Sequence, residues 1–175
     1  MNLVRSIVFV VLAATSSLVF AAAPVLKVSK SVTIDASADT VWSKIQNFDG
    51  LNTWHPAVAK DQIVSGKNNE VGAERLLTLG DGGTIKEKLL AFDAKHHSFK
   101  YAILEGVLPV SDYTSTVSVK SAGKDKSTVT WSGVFKRKNT AADPGEKEND
   151  AAATTTMSGV YQGGLDNLKK ILEAK

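Results

Sequence analysis

The sequence predicts an α+β domain in which a curved sheet of seven antiparallel strands packs against one long C-terminal helix. Apolar and polar residues alternate with a period of two through a series of short runs, which is typical of half-buried strands. Short turn-forming segments separate most of these runs, and loops of that length join antiparallel strands. Near the C-terminus the apolar residues instead recur at helical spacing, so a final helix with one apolar stripe is expected to cover the concave face of the sheet.

The elements can be placed in order along the chain. The first strand alternates from Leu26 to Ile34, and the others are predicted at 58–65, 73–79, 84–92, 99–105, 113–120 and 127–137. Two short helices precede the second strand: one reaches Phe48 after a cap at Ser37 or Asp39, and the other covers 51–54. The long helix is predicted from residues 149–150 to about residue 173.

Residues 1–22 are predicted to be a cleavable signal peptide. Arg5 supplies a positive start, residues 7–20 are almost wholly apolar, and Ala21-Ala22-Ala23 offers small residues for cleavage. The apolar run is short for a membrane span, although a retained N-terminal anchor helix is the alternative. We therefore expect residues 23–175 to form one domain that is exported to the periplasm without a stable membrane anchor.

Composition excludes several classes of function. The 21 Lys and Arg residues against 18 Asp and Glu are spread along the chain, which does not indicate a nucleic-acid-binding protein. The absence of cysteine excludes thiolate metal sites and cysteine nucleophiles, and three histidines make a poor basis for a metal site. There is no phosphate-binding loop and no nucleophile elbow. We expect no cofactor, no metal and no catalytic set.

Arg75 and Glu87 are the most informative charged residues, because each interrupts an apolar face of a predicted strand. A two-residue turn at Asp81-Gly82 would put the two faces on opposite sides of the sheet, whereas an odd-length loop or a bulge would bring both inward and place Arg75 opposite Glu87. Opposed in this way, the two charges can neutralise each other inside the domain. They are interpreted as a polar anchor for a ligand or, alternatively, as a structural or surface ion pair.

Further residues are expected to bound an apolar cavity, or else simply to fill the core. Tyrosines would contribute bulk with one hydrogen-bonding tip. Two glycines one turn apart in the last helix would either leave space for a ligand or allow close packing on the sheet. A histidine before proline at the presumed mouth could act as a base or ligand donor, or could have no role beyond the turn. The predicted ligand-lining residues are Arg75, Leu77, Glu87, Leu89, Tyr101, Tyr113, Trp131, Gly159, Gly163 and His55.

The order of elements, together with the segments at 34–42 and 54–58, resembles the START-like (SRPBCC) superfamily, whose members share the helix-grip fold. The segments at 71–79, 81–87 and 108–113 are similar to its exported MxaD-type branch. That resemblance implies a factor that assists periplasmic methanol oxidation through methanol dehydrogenase or its cytochrome c. Compared with the plant abscisic-acid receptors in this superfamily, Glu87 and Tyr113 match ligand-facing residues, but the receptors' cavity lysine has no clear match.

Three functions follow as hypotheses. The first is an exported accessory protein that binds a small apolar molecule with a polar end. The second is a cyclase- or dehydratase-type enzyme that uses Arg75, Glu87, His55 and a tyrosine for acid–base chemistry. The third is a protein–protein adaptor with a vestigial cavity. A cavity of roughly 300–1,000 Å³ would favour the first two, and a filled core would favour the third.

Overall fold

The computed structural model describes residues 24–174, so the predicted signal peptide lies outside the described residues. Its elements, in chain order, are β1 (Leu26–Ile34), α1 (Ala38–Ile45), a 3-10 turn (Leu51–Thr53), β2 (Val58–Ser65), β3 (Glu74–Leu79), β4 (Thr84–Asp93), β5 (Ser98–Gly106), β6 (Val110–Gly123), β7 (Lys126–Arg137) and α2 (Asp150–Glu173).

The seven strands form one antiparallel sheet in the order β1-β7-β6-β5-β4-β3-β2. Every consecutive pair from β2 to β7 is therefore a hairpin, and β1 closes the far edge beside β7. The long helix α2 packs against β1 and β7, and its buried residues face the sheet. This confirms the predicted helix-grip fold with its seven-stranded curved sheet.

Side-chain caps define where both helices begin. Ser37 accepts a hydrogen bond from the Thr40 amide, and Asn149 accepts one from the Ala152 amide, which satisfies amides that lack an intrahelical partner. Helix α1 ends at Ile45, earlier than predicted, so Phe48 lies beyond it. The Phe48 carbonyl is thus free of the helical ladder, and it accepts a hydrogen bond from the Arg75 side chain.

The hairpin between β3 and β4 settles the register that the sequence left open. Thr78 pairs with Thr84, which leaves the odd-length loop of residues 79–83, and Arg75 lies directly opposite Glu87. Within the loop, the Leu79 amide donates to the Gly83 carbonyl, and Gly82 adopts a positive φ of 87° that suits glycine. The expectation that Arg75 and Glu87 face each other on the inner side of the sheet is confirmed.

Helix α2 presents a different glycine to the sheet from those predicted. Gly159 and Gly163 face open space, because each lies two residues, or about 200° of helical rotation, beyond the buried Met157 and Tyr161. Gly164 is the buried glycine. The prediction that Gly159 and Gly163 bound the cavity is therefore wrong.

Within residues 24–174, none of the helices combines the length and the apolar character that a membrane crossing requires.

Candidate functional site

A small, almost wholly apolar cavity lies between the sheet, the 3-10 turn and α2. Its volume is about 70 Å³. That is below the roughly 300–1,000 Å³ of sites for drug-sized ligands and corresponds to about two water molecules. Glu87 is the one acidic residue among the residues that line it. These are Leu51, His55, Ala57, Val58, Leu77, Leu79, Glu87, Tyr101, Ile103, Leu108, Tyr113, Trp131, Met157 and Val160.

Arg75 does not line the cavity but contacts Glu87, and it is the centre of a buried charge cluster. Its Nε and Nη2 atoms donate to Glu87 Oε2 at 2.7 and 2.6 Å, and its Nη1 atom donates to the Phe48 carbonyl and to Asp61 Oδ2, the latter at 3.2 Å. The guanidinium also stacks 4.2 Å from the centre of the Phe48 ring. Arg75 is 2% exposed and Glu87 is 4% exposed, so this is an interior cluster.

The cluster contains one more carboxyl group than cation. Burial raises the pKa of Glu87 and of Asp61, while Arg75 opposes both shifts. Burial alone would lower the pKa of Arg75, but the two carboxylates reverse that effect and the net shift is upward. Glu87 has the shorter and more numerous contacts with Arg75 and is its main counter-ion, whereas Asp61 Oδ2 accepts from Arg75 at 3.2 Å and from the Leu51 amide at 2.9 Å.

Three tyrosine hydroxyl groups form a hydrogen-bonded chain beside the cavity. Ser115 donates to the Ser132 carbonyl at 2.8 Å and accepts from Tyr161 at 3.2 Å. Tyr161 has no second proton, so Tyr113 must donate to it across 2.6 Å, and Tyr101 must then donate to Tyr113 across 3.2 Å.

The Tyr101 hydroxyl, at the start of this series of hydrogen bonds, also has a hydrogen-bond partner. The indole N–H of Trp131 donates to the Tyr101 hydroxyl at 3.0 Å, and the Trp131 ring stacks on Tyr161 at a centroid distance of 4.8 Å. Burial raises the pKa of Tyr101, Tyr113 and Tyr161, so these groups remain protonated donors. Every hydroxyl proton of the chain is committed to a protein acceptor.

His55 ties the segment before β2 to α2. A carbonyl can only accept, so His55 Nε2 donates to the Val160 carbonyl at 3.0 Å, while Nδ1 accepts from the Ala57 amide at 3.2 Å. Burial lowers the pKa of His55, which agrees with a neutral ring. Both nitrogens are therefore used within the fold, which fits the interpretation of His55 as a structural residue of the turn.

The predicted site residues separate into three groups. The cavity wall contains Leu77, Glu87, Tyr101, Tyr113, Trp131 and His55. Arg75 and Leu89 are fully interior but do not line the cavity: Arg75 lies behind Glu87, and Leu89 belongs to the surrounding core. Gly159 and Gly163 point away from it.

Sequence reasoning missed two members of the site. Asp61 lies on β2 between Lys60 and Gln62, and a register shift between Val58 and Lys60 puts it out of phase with the buried Val58. One signal was available: Asp61 lies two residues before Ile63, so both side chains lie on the same face of the strand. Tyr161 was recognised only as part of the helical stripe. Its hydroxyl reaches the sheet because Gly133 has no side chain; a Cβ there would collide with that hydroxyl.

Within residues 24–174, histidine and acidic side chains do not gather in any group of three or more that could hold a metal ion. The arrangement is therefore that of a small apolar compartment with one carboxylate oxygen at its wall.

Comparison with known proteins agrees with this architecture. A sequence model of the polyketide cyclase/dehydrase and lipid transport family matches residues 25–173. MLP-like protein 423 of Arabidopsis thaliana is 29% identical over 118 residues, which cover 61% of this chain and 73% of that protein.

Comparison with solved structures also finds proteins of this fold. The structure of XoxI from Bacillus cereus is 29% identical, has a TM-score of 0.74 and aligns over 85% of this chain and 96% of its own. Major latex-like protein 151 of Panax ginseng shares the fold at 18% identity, with a TM-score of 0.68 and coverage of 85% and 98%. This chain belongs to the polyketide cyclase/dehydrase and lipid transport family.

Proposed function

We propose that this protein is an exported, non-catalytic accessory protein that binds a small, largely apolar molecule with one polar end. The volume of about 70 Å³ lies below the range that favours ligand binding, so the observation that carries the proposal is the composition of the wall, on which Glu87 is the one acidic group among mostly apolar residues. Such a wall favours an apolar body, and the carboxylate orients a polar end. The small volume limits the ligand to a few non-hydrogen atoms.

By its resemblance to the MxaD-type branch, the protein would assist periplasmic methanol oxidation and would contact methanol dehydrogenase or its cytochrome c. The motifs at 71–79 and 108–113 support this part of the proposal, as does the predicted signal peptide. The small cavity also favours the adaptor hypothesis, in which partner contact is the whole function and nothing is bound.

The enzyme hypothesis draws support from one observation: Glu87, whose pKa is raised by burial, lines the same cavity as His55. Against it, both His55 nitrogens are hydrogen-bonded to backbone groups, and Arg75 and the tyrosine hydroxyls donate to protein acceptors. A base needs a free lone pair within reach of substrate, and His55 has none here.

The test uses protein purified from its own cells. We expect it in the periplasmic fraction, with an N-terminus between Ala22 and Pro24 by Edman sequencing and a retained small molecule by native mass spectrometry. We also expect it to accelerate electron transfer from methanol dehydrogenase to cytochrome c in a reconstituted assay. An intact Met1 form in the membrane fraction would contradict export. Partner activity without any retained molecule would favour the adaptor hypothesis.

A further inference from the structure

The polar groups around the cavity differ in whether they can still bind a ligand. Both contacts of Glu87 with Arg75 use Oε2, and Oε1 has no hydrogen bond to any of residues 24–174. Glu87 lines the cavity and is 4% exposed. A carboxylate oxygen without a protein partner at the wall of an apolar cavity is a strong hydrogen-bond acceptor.

The side-chain donors that line the same cavity are all occupied. Arg75 donates to Glu87, Asp61 and the Phe48 carbonyl and does not reach the cavity wall. Tyr101 donates its hydroxyl proton to Tyr113, Tyr113 donates to Tyr161, and that series of hydrogen bonds ends at Ser115. A ligand that carries only acceptors, such as a ketone, therefore finds no free donor here.

An apolar compartment with one free hydrogen-bond acceptor favours a ligand with one hydrogen-bond donor. An alcohol has one hydroxyl proton, whereas an ammonium group has three and would leave two of them unsatisfied. Arg75 already provides Glu87 with a cation through two contacts on Oε2, so the remaining oxygen does not require a second cation. With room for about two waters, the cavity accommodates about three to four non-hydrogen atoms.

We infer that the cavity binds a short-chain alcohol, whose hydroxyl group donates to Glu87 Oε1 while its alkyl part contacts Leu77, Ile103 and Val160. This inference rests on the proposed ligand-binding function and names its ligand class. Ile103, Leu108 and Tyr113 line both the cavity and an outer groove of about 640 Å³ beside the β5–β6 loop, so the inference places the approach of the ligand on this side.

The test compares three molecules of nearly equal size and shape: 2-propanol, acetone and isopropylamine. Each is titrated into the mature protein labelled with carbon-13 at its methyl groups, and dissociation constants are read from the shifts of cavity methyl signals. For the wild type we expect 2-propanol to bind at least about tenfold more tightly than acetone, the range expected for a lost hydrogen bond to a charged group.

Three variants make the result specific. In Glu87→Gln the amide oxygen stays with Arg75 and its NH₂ group turns to the cavity, so the preference for 2-propanol over acetone should vanish or reverse. Asp61→Asn keeps the Glu87 carboxylate and should leave the preference unchanged. Val160→Phe fills the cavity from α2 and should abolish binding of both molecules.

Equal binding of 2-propanol and acetone by the wild type would overturn the inference, whether or not the variants fold. Tighter binding of isopropylamine would also overturn it, in favour of a cation site. Absence of binding by all three, with a larger molecule retained by the native protein, would refute the alcohol assignment while the proposed function stands. Absence of both would refute the two together.

Discussion

The buried cluster allows a sharp test of its charge balance, because amide side chains are isosteric with protonated carboxyl groups. The perturbations are Asp61→Asn, Glu87→Gln and the double variant. Each amide keeps an oxygen that can accept from Arg75, so no variant creates a cavity. Only the number of negative charges around the guanidinium changes.

The expected magnitudes follow from counting those charges. Asp61 makes a single, longer contact with Arg75, so Asp61→Asn should change the free energy of unfolding by less than about 1 kcal/mol. Glu87→Gln leaves Asp61 as the counter-ion 3.2 Å from Arg75, at a cost of about 1–2 kcal/mol through the longer contact. The double variant leaves Arg75 buried without any anion, and removing the partner of a buried charge costs about 3–5 kcal/mol.

The assay is urea unfolding of the four proteins at pH 7, followed by tryptophan fluorescence. The double variant should lose more stability than the sum of the single variants, by about 1–3 kcal/mol of coupling. Additive effects would refute the idea that either carboxyl group can serve as the counter-ion of Arg75. Two single variants that each lose more than about 3 kcal/mol would show instead that both carboxylates are required.

The same cluster has a pH signature. Because the pKa of Asp61 is raised above its ordinary value of 3.8, the stability from its protonated form is present below that value and is lost as the pH rises through the raised pKa. The Asp61→Asn variant should lack the part of this loss that comes from Asp61, while Glu87, whose pKa is raised in the same direction, keeps its own part. A pH dependence identical to that of the wild type would contradict a raised pKa of Asp61.

Two further predictions concern α2 and the residue that contacts it. Gly163→Ala should stabilise the fold by about 1 kcal/mol because it faces open space, whereas Gly164→Ala places a Cβ 2.6 Å from the His55 ring. Overpacking costs about 1–3 kcal/mol, so thermal unfolding should separate the two variants by that amount, and equal stabilities would contradict the helix phase. The pKa of His55 is lowered from its ordinary 6.5, so the stability from its neutral form should be lost as the pH falls below 6.5, and His55→Gln should remove that loss. An unchanged pH profile between 7.5 and 5.5 in this variant would mean that His55 has the same pKa in the folded and unfolded protein, which would contradict its lowered pKa.

Much of the fold could be predicted from the sequence because it depends on local pattern. The alternation from Leu26 to Ile34 and the turn residues between later runs are properties of neighbouring residues, and so is the cap at Asn149. The pairing of Arg75 with Glu87 was predicted only as one of two registers. The two registers differ by one residue in the length of the loop, and the sequence alone does not determine how many residues the glycine-rich loop contains.

What only the tertiary structure decided depends on side chains that meet across the domain. Asp61 joins Arg75 from the edge strand β2, and Tyr161 joins Tyr113 from α2, through contacts that no local periodicity encodes. The phase of α2 is equally non-local, since a shift of one residue turns the helix by about 100° and exchanges Gly163 for Gly164 at the sheet. The cavity volume is the remainder after all of these side chains have packed, so an apolar pattern that predicts a cup cannot tell how far it is filled. The sequence by itself determined the sheet and the helix over it, whereas the tertiary structure decided that the two charges face each other and that the cup is nearly closed around one free carboxylate oxygen.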